Sequence, residues 1–235
     1  MKLSDYVANK VAEAGIRHVF MVTGGGAMHL NHSIGTHSKL ECIFNHHEQA
    51  CAIAAEAYYR VNNTLPLVNV TSGPGGTNAI TGVYGAFVDS VGMLVLSGQV
   101  KYETTVRSTG LPLRQYGDQE LDIEELVRPI TKYCVMVTDP QTIRYHLEKA
   151  IYLATSGRPG PCWLDIPLNV QGAPINPDTL PGFDPAELDE PWEYIDLSIV
   201  CKDILEKVRY AKRPVLFVGS GVRLSGQHQV FINLV

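Results

Sequence analysis

Two apolar runs pass directly into glycine-bearing turns, and this restricts what the chain can fold into more than any other feature. His18-Val19-Phe20-Met21-Val22 runs into Thr23-Gly24-Gly25-Gly26, and Pro66-Leu67-Val68-Asn69-Val70 runs into Thr71-Ser72-Gly73-Pro74-Gly75-Gly76-Thr77-Asn78. Short apolar runs bounded by such turns read as strands buried on both faces. A helical pattern follows each, through Met28 and Leu30 in the first case and from about Thr77 to Val88 in the second. Glu41 to Phe44 reads as a strand between them, followed by an alanine-rich helix from Ala50 to Tyr59. Met93 to Ser97, Val135 to Val137 and Cys162 to Ile166 read as further strands, and Gln141 to Thr155 as a helix. At the start, Ser4 is placed to cap a helix in which Leu3, Val7 and Val11 recur at helical spacing, ending near Gly15. Strands alternating with helices predict an α/β fold, an open and mostly parallel sheet with helices on both faces.

At 235 residues the chain is long enough for one or two domains, and 45% hydrophobic against 18% charged residues marks it as globular. The net charge is −5 and no polybasic run occurs, which argues against nucleic acid and anionic membrane as partners. No apolar segment is long enough to span a bilayer, and the start of the chain lacks the apolar core of a signal peptide. A soluble cytoplasmic protein is expected. The five cysteines are scattered with no C-x-x-C pair and read as structural. Residues 1–167 read as a first domain and residues 168–196 as a linker, since Pro167 to Pro191 carry six prolines, those two included. Residues 197–235 read as the start of a second α/β domain: an amphipathic helix from about Leu197 to Ala211, then a strand, Pro214-Val215-Leu216-Phe217-Val218, running into Gly219-Ser220-Gly221. The βα units that should follow such a strand are not in the sequence, which therefore reads as part of a longer chain.

Several familiar motifs fail. Gly221 is not followed three residues later by glycine, so the dinucleotide fingerprint is broken, and no phosphate loop or G-x-S-x-G elbow occurs. His29, His32, His37, His46 and His47 crowd the first fifty residues without H-E-x-x-H spacing, and no metal site is expected from them. The glycine turns carry more. In an open parallel sheet, ligands bind beyond the carboxyl ends of the strands. Thr23 to Gly26, Glu48 and Thr71 to Asn78 all fall at such ends. Glycines there admit a flat ligand close to the backbone, and helix N-termini offer free N–H groups. A carboxylate withdrawn from water among such turns can donate or accept a proton. Read from the residues alone, this is a ligand crevice with one acid/base carboxylate, Glu48. From Lys101 to Asp122 the periodicity weakens into a long ordered loop of the kind that is often functional.

Asn45-His46-His47-Glu48-Gln49-Ala50, Thr71 to Asn78, Ser97-Gly98-Gln99-Val100, Asp118-Gln119-Glu120 and Thr155-Ser156-Gly157-Arg158-Pro159-Gly160-Pro161 occur in an order that resembles thiamine-diphosphate enzymes. The nearest group is the acetolactate synthase-like, pyruvate oxidase-type branch. The resemblance covers Met1 to about Pro167, and Pro214 to Gly221 is similar to the start of that family's central domain. It implies a pyrimidine-binding domain in which Glu48 hydrogen-bonds the aminopyrimidine ring nitrogen of thiamine diphosphate and so activates the cofactor for a 2-oxo acid. Thr23, Gly24, Gly25, Thr71, Pro74 and Asn78 match positions lining the cofactor. Gln119 matches a substrate-channel glutamine, with a solvated loop residue as the alternative.

Thr23 stands where many relatives carry Pro. Leu111-Pro112-Leu113-Arg114-Gln115-Tyr116 replaces the usual sequence before Gln119, and Arg114 is read as facing either an acidic substrate or solvent, with solvent slightly favoured. The family binds Mg2+ through a third domain bearing G-D-G and a downstream Asn, and this chain contains no Gly-Asp-Gly, so metal ligands are expected outside it. FAD, where the family carries it, is held mainly by the central domain and is left open. The resemblance also implies a homodimer or homotetramer with the site shared between subunits, so that this chain alone is inactive. The implied function is the N-terminal part of a 2-oxo acid carboligase or decarboxylase. The alternatives are the pyrimidine-binding subunit of a split two-chain decarboxylase and a non-catalytic α/β binding module.

Overall fold

The computed structural model describes residues 1–188 and 196–235, which form two compact units, Met1–Pro185 and Ala186–Val235. In the first, the elements run α1 (Leu3–Glu13), β1 (His18–Met21), α2 (Met28–Gly35), β2 (Glu41–Phe44), α3 (Glu48–Asn62), β3 (Leu67–Val70), α4 (Pro74–Val88) and β4 (Met93–Gln99). Then follow the short helices α5 (Val106–Thr109) and α6 (Ile123–Val127), β5 (Tyr133–Met136), α7 (Ile143–Thr155), β6 (Pro161–Pro167) and α8 (Leu168–Gln171). The six strands form one sheet in the order β2-β1-β3-β4-β6-β5, every pair parallel. This is the open parallel α/β sheet expected from the strand–turn–helix alternation.

The burial along each strand follows its place in the sheet. β3, β4 and β6 are buried at every residue, as central strands covered on both faces must be, whereas β2 at one edge is half-buried at its two middle residues and exposed at both ends. One face is covered by α1, α2, α7 and α8, whose Leu3, Val7, Leu30, Ile34, Leu147 and Val170 pack against Val19, Leu67, Leu94 and Leu164 of the strands. The other face carries α3, α4 and α6. The alanine-rich face of α3 lies so close to α4 that a methyl on Gly82 would stand 2.5 Å from the Ala52 side chain. Small residues on both helices make that approach sterically available.

Three local expectations are revised. Ser4 does not cap α1: Lys2 occupies the cap position without a side-chain bond, and Ser4 is fully buried, accepting a hydrogen bond at 3.0 Å from the Ser33 hydroxyl. Residues 168–185, read as linker, lie within the first unit. Pro174 bridges Lys2 in an isolated antiparallel pair, and Ile175 and Leu180 are buried in the core. Prolines suit such a strap because it needs few backbone donors. Of the remaining linker residues, 186–188 and 196 fall in the second unit and 189–195 lie outside the described residues.

In the second unit, α9 (Leu197–Tyr210) matches the predicted amphipathic helix, and the short helices α10 (Gly221–Leu224) and α11 (His228–Leu234) follow. Residues 214–218 form no strand, and Phe217 is fully exposed. An apolar run becomes a strand only where a neighbouring strand takes up its N–H and C=O groups, and none lies beside it among the described residues. No helix among those residues is long and apolar enough to cross a membrane.

Candidate functional site

The chain leaves β1 toward β2 on one side and returns to β3 on the other, so the turns after β1 and β3 diverge at a topological switch point. Such points open a crevice at the carboxyl ends of the strands. Here it is a cleft of about 440 Å3 whose lining includes Gly24, Gly25, Thr71, Ser72, Lys101 and Gln119. Backbone packing shapes it. Gly26 N donates to Thr71 Oγ1 at 3.1 Å, and a methyl on Gly24 would stand 2.5 Å from Thr71 Cβ. At Gly25, by contrast, a methyl would meet nothing within 4 Å. The backbone there is bare toward the cleft, which suits close approach of a flat group.

Glu48 is the first residue of α3, where a carboxylate favours the helix dipole, and His47 caps the helix by accepting from Gln49 N at 3.1 Å. The Glu48 side chain is withdrawn from water, with 8% of the residue exposed. Asn78 Nδ2 donates to its Oε2 at 2.9 Å. Its Oε1 lies 3.6 Å from where a methyl on Gly75 would sit, and among the described residues it has no hydrogen-bond donor and the carboxylate no cation. A buried carboxylate with one oxygen oriented and the other free, beside glycine turns, fits a ligand that presents an N–H. An acceptor in that place suits the ring N–H of an aminopyrimidine.

Of the residues predicted from sequence, Gly24, Gly25, Thr71 and Gln119 come together in the cleft, and Glu48 and Asn78 are hydrogen-bonded to each other beside it. Pro74 opens α4 as its first residue, and Thr23 is exposed and not part of the lining. Arg114 is exposed, as expected, on the loop between α5 and α6. Gln119 reaches the cleft in a left-handed conformation, φ +53°, that a non-glycine residue seldom adopts. Its carbonyl packs on Gly73, itself at φ +54°, where a methyl would overlap it. The crowded histidines do not assemble: among the described residues no three His, Cys, Asp or Glu side chains cluster as metal ligands.

Sequence reasoning missed a buried polar layer beneath the cleft. Gln171, fully buried on α8, donates to Gly26 O and Ile166 O, each at 2.7 Å, and so joins the β1 turn to the end of β6. Trp163 Nε1 donates to Ser97 Oγ at 2.8 Å, and Ser97 donates to Asp165 Oδ1 at 2.6 Å. Burial pushes the Asp165 carboxyl up to about 7, against hydrogen bonds from Ser97 and Gln99 that favour its ionised form. Its ordinary value is near 3.8, so between the two the folded chain holds a proton that the unfolded chain releases. This group therefore lowers stability as pH rises from about 4 to 7, by at most about 1.4 kcal/mol per pH unit. Thermal unfolding of the wild type and Asp165→Asn at pH 5 and pH 7 is expected to show a stability gap that moves in favour of the variant at the higher pH. A gap independent of pH would mean that Asp165 is ionised throughout.

Residues 1–126 match the family model described as "Thiamine pyrophosphate enzyme, N-terminal TPP binding domain". Acetolactate synthase 2, chloroplastic, of Zea mays is 35% identical over 237 residues, covering 96% of this chain and 34% of the relative. The acetolactate synthase large subunit of Haemophilus influenzae is 34% identical over 228 residues, covering 93% and 37%. That of Lactococcus lactis is 31% identical over 228 residues, covering 97% and 38%. The chain thus spans about a third of the length of the curated relatives it matches. With more than half its residues under that model, and with the crevice and buried carboxylate in place, the chain belongs to the thiamine pyrophosphate enzymes and carries their N-terminal TPP-binding domain.

Proposed function

We propose that this chain supplies the pyrimidine-binding part of the active site of a 2-oxo acid carboligase or decarboxylase of the acetolactate synthase type. The observation that carries the reading is Glu48: a buried carboxylate with no cation beside it among the described residues, oriented by Asn78 and beside a glycine-turn cleft. Thiamine diphosphate, when bound, supplies the carbon nucleophile and electron sink that a 2-oxo acid needs for loss of carbon dioxide or for joining a second carbonyl. Glu48 Oε1 accepts the hydrogen bond of the ring nitrogen and holds the proton there. Water exclusion strengthens that bond, since charge-assisted hydrogen bonds gain in a low-dielectric site. Asn78 fixes the carboxylate so that the free oxygen keeps its aim. Gly24, Gly25 and Thr71 form the wall against which the ring lies, Pro74 starts the helix that carries Asn78, and Gln119 faces the 2-oxo acid. Thr23, exposed beside the turn, takes an outer position on the cofactor side.

Diphosphate and Mg2+ are assigned to a further domain of the whole protein, in a homodimer or homotetramer whose site is shared between subunits. Residues 1–167 act as the pyrimidine domain, with residues 197–235 opening a central one. The native polypeptide purified from its source is expected to consume pyruvate or another 2-oxo acid only when both thiamine diphosphate and Mg2+ are added. A cofactor-loaded protein inert toward a panel of 2-oxo acids would overturn the substrate class, and one that binds no thiamine diphosphate would overturn the site.

A further inference from the structure

Gln119 sits in the cleft although it belongs to a long loop with little regular structure, so something must hold that loop in place. Its neighbours offer three anchors. Arg107 pairs with Asp122 through two bonds of 3.0 and 2.9 Å, and Glu120 accepts from Val106 N at 2.8 and 3.0 Å. The Arg107 pair is partly open to solvent, and exposed ion pairs contribute little. The third anchor is buried. Gln99, 1% exposed at the end of β4, donates through Nε2 to Leu121 O at 2.8 Å and to Asp165 Oδ2 at 3.1 Å. Its Oε1 accepts from Val100 N at 3.1 Å. Both amide hydrogens and the carbonyl are engaged, so the side chain cannot turn without breaking three bonds. Asp165 is fixed in turn by Ser97, itself fixed by Trp163. The chain of bonds therefore runs from the sheet interior to a carbonyl two residues beyond Gln119.

We propose that Gln99, held by Asp165, is a positioning residue that sets the alignment of Gln119 against the cleft through the Leu121 carbonyl. The inference rests on the reading of Gln119 as substrate-facing, but its structural half stands without it. A buried amide that only filled core space would support β4 and its neighbours generally. One that positions the loop supports residues 117–123 specifically. The strained backbone of Gln119, φ +53°, gives the distinction force, because such a conformation persists only where its surroundings over-determine it.

The test is amide hydrogen exchange on the native polypeptide carrying Gln99→Met, which keeps length and burial but removes both donors. Exchange across residues 117–123 is expected to rise at least tenfold while β3 and β6 stay within twofold of wild type. KM for the 2-oxo acid is expected to rise about tenfold, with half-saturation by thiamine diphosphate unchanged. Should Gln99→Met fail to fold, Gln99→Asn, one methylene too short to reach Leu121 O, is measured in the same way. Unchanged exchange at 117–123, or a rise spread evenly over the sheet, overturns the proposal. Local exchange rising without any change in KM keeps the anchor and removes Gln119 from the substrate, which is a failure of the functional reading and not of the positioning one.

Discussion

Glu48→Gln in the native polypeptide is expected to lower 2-oxo acid turnover at least about 100-fold, the scale on which a positioned acid/base group acts. The substitution is nearly isosteric and leaves an oxygen for Asn78 to bond at its present 2.9 Å. It removes the carboxylate that would hold a proton on the opposite oxygen, and nothing else. Thiamine diphosphate is therefore expected to bind still, and the unfolding midpoint to stay within about 4 °C, as for a change that opens no cavity. Glu48 also contributes at the α3 N-terminus, but loss of that dipole interaction amounts to only about 0.3–1 kcal/mol. Turnover within tenfold of wild type would remove Glu48 from the mechanism.

The largest structural effect is expected at Gly98. This residue lies on β4 with the β1 turn directly above it: a methyl would overlap the Gly26 carbonyl and stand 2.5 Å from Ala27 Cα. Those atoms are backbone and cannot swing aside. The turn they belong to is already fixed from two other directions by Thr71 and Gln171. Gly98→Ala is expected to cost about 3 kcal/mol, the upper end for overpacking, and to lower the thermal midpoint by roughly 6–12 °C in a unit of this size. Gly25→Ala is the control, since its methyl meets nothing within 4 Å. It should leave stability within about 0.5 kcal/mol of wild type. Equal effects at the two glycines would contradict the packing described here.

How far the molecule can be read from its residues depends on how local each cause is. Glu41–Phe44 forms over the residues expected, because an apolar run ending in a helix start is a local signal. α4 begins at Pro74 and not near Thr77. Gly75 and Gly76 weaken a helix by propensity, but Pro74 suits its first position, and both glycines are buried, Gly76 against Ile123 and Trp163. Glu48 and Asn78 were each legible at a strand end, but their hydrogen bond was not, because it depends on how α3 and α4 pack. Gln119 was undecided between channel and solvent because its place is set by Gln99 and Gly73, each more than fifteen residues away in sequence. Gln171 gave no sign at all. It sits among prolines that read as linker, and its partners, Gly26 and Leu30, lie 145 and 141 residues distant.

That distance has a bearing on how the protein is made. Leu3 N donates to Ala173 O and Ile175 N to Met1 O, each at 2.9 Å, so the first helix is tied down by the last strap of its unit. A ribosome adding about 5–20 residues per second needs roughly ten to thirty seconds between those segments. For much of that interval, once they have been made and have left the tunnel, β1, its turn and α2 stand without Gln171. The candidate cofactor cleft thus takes its final shape late in synthesis, although its glycines are among the first residues made.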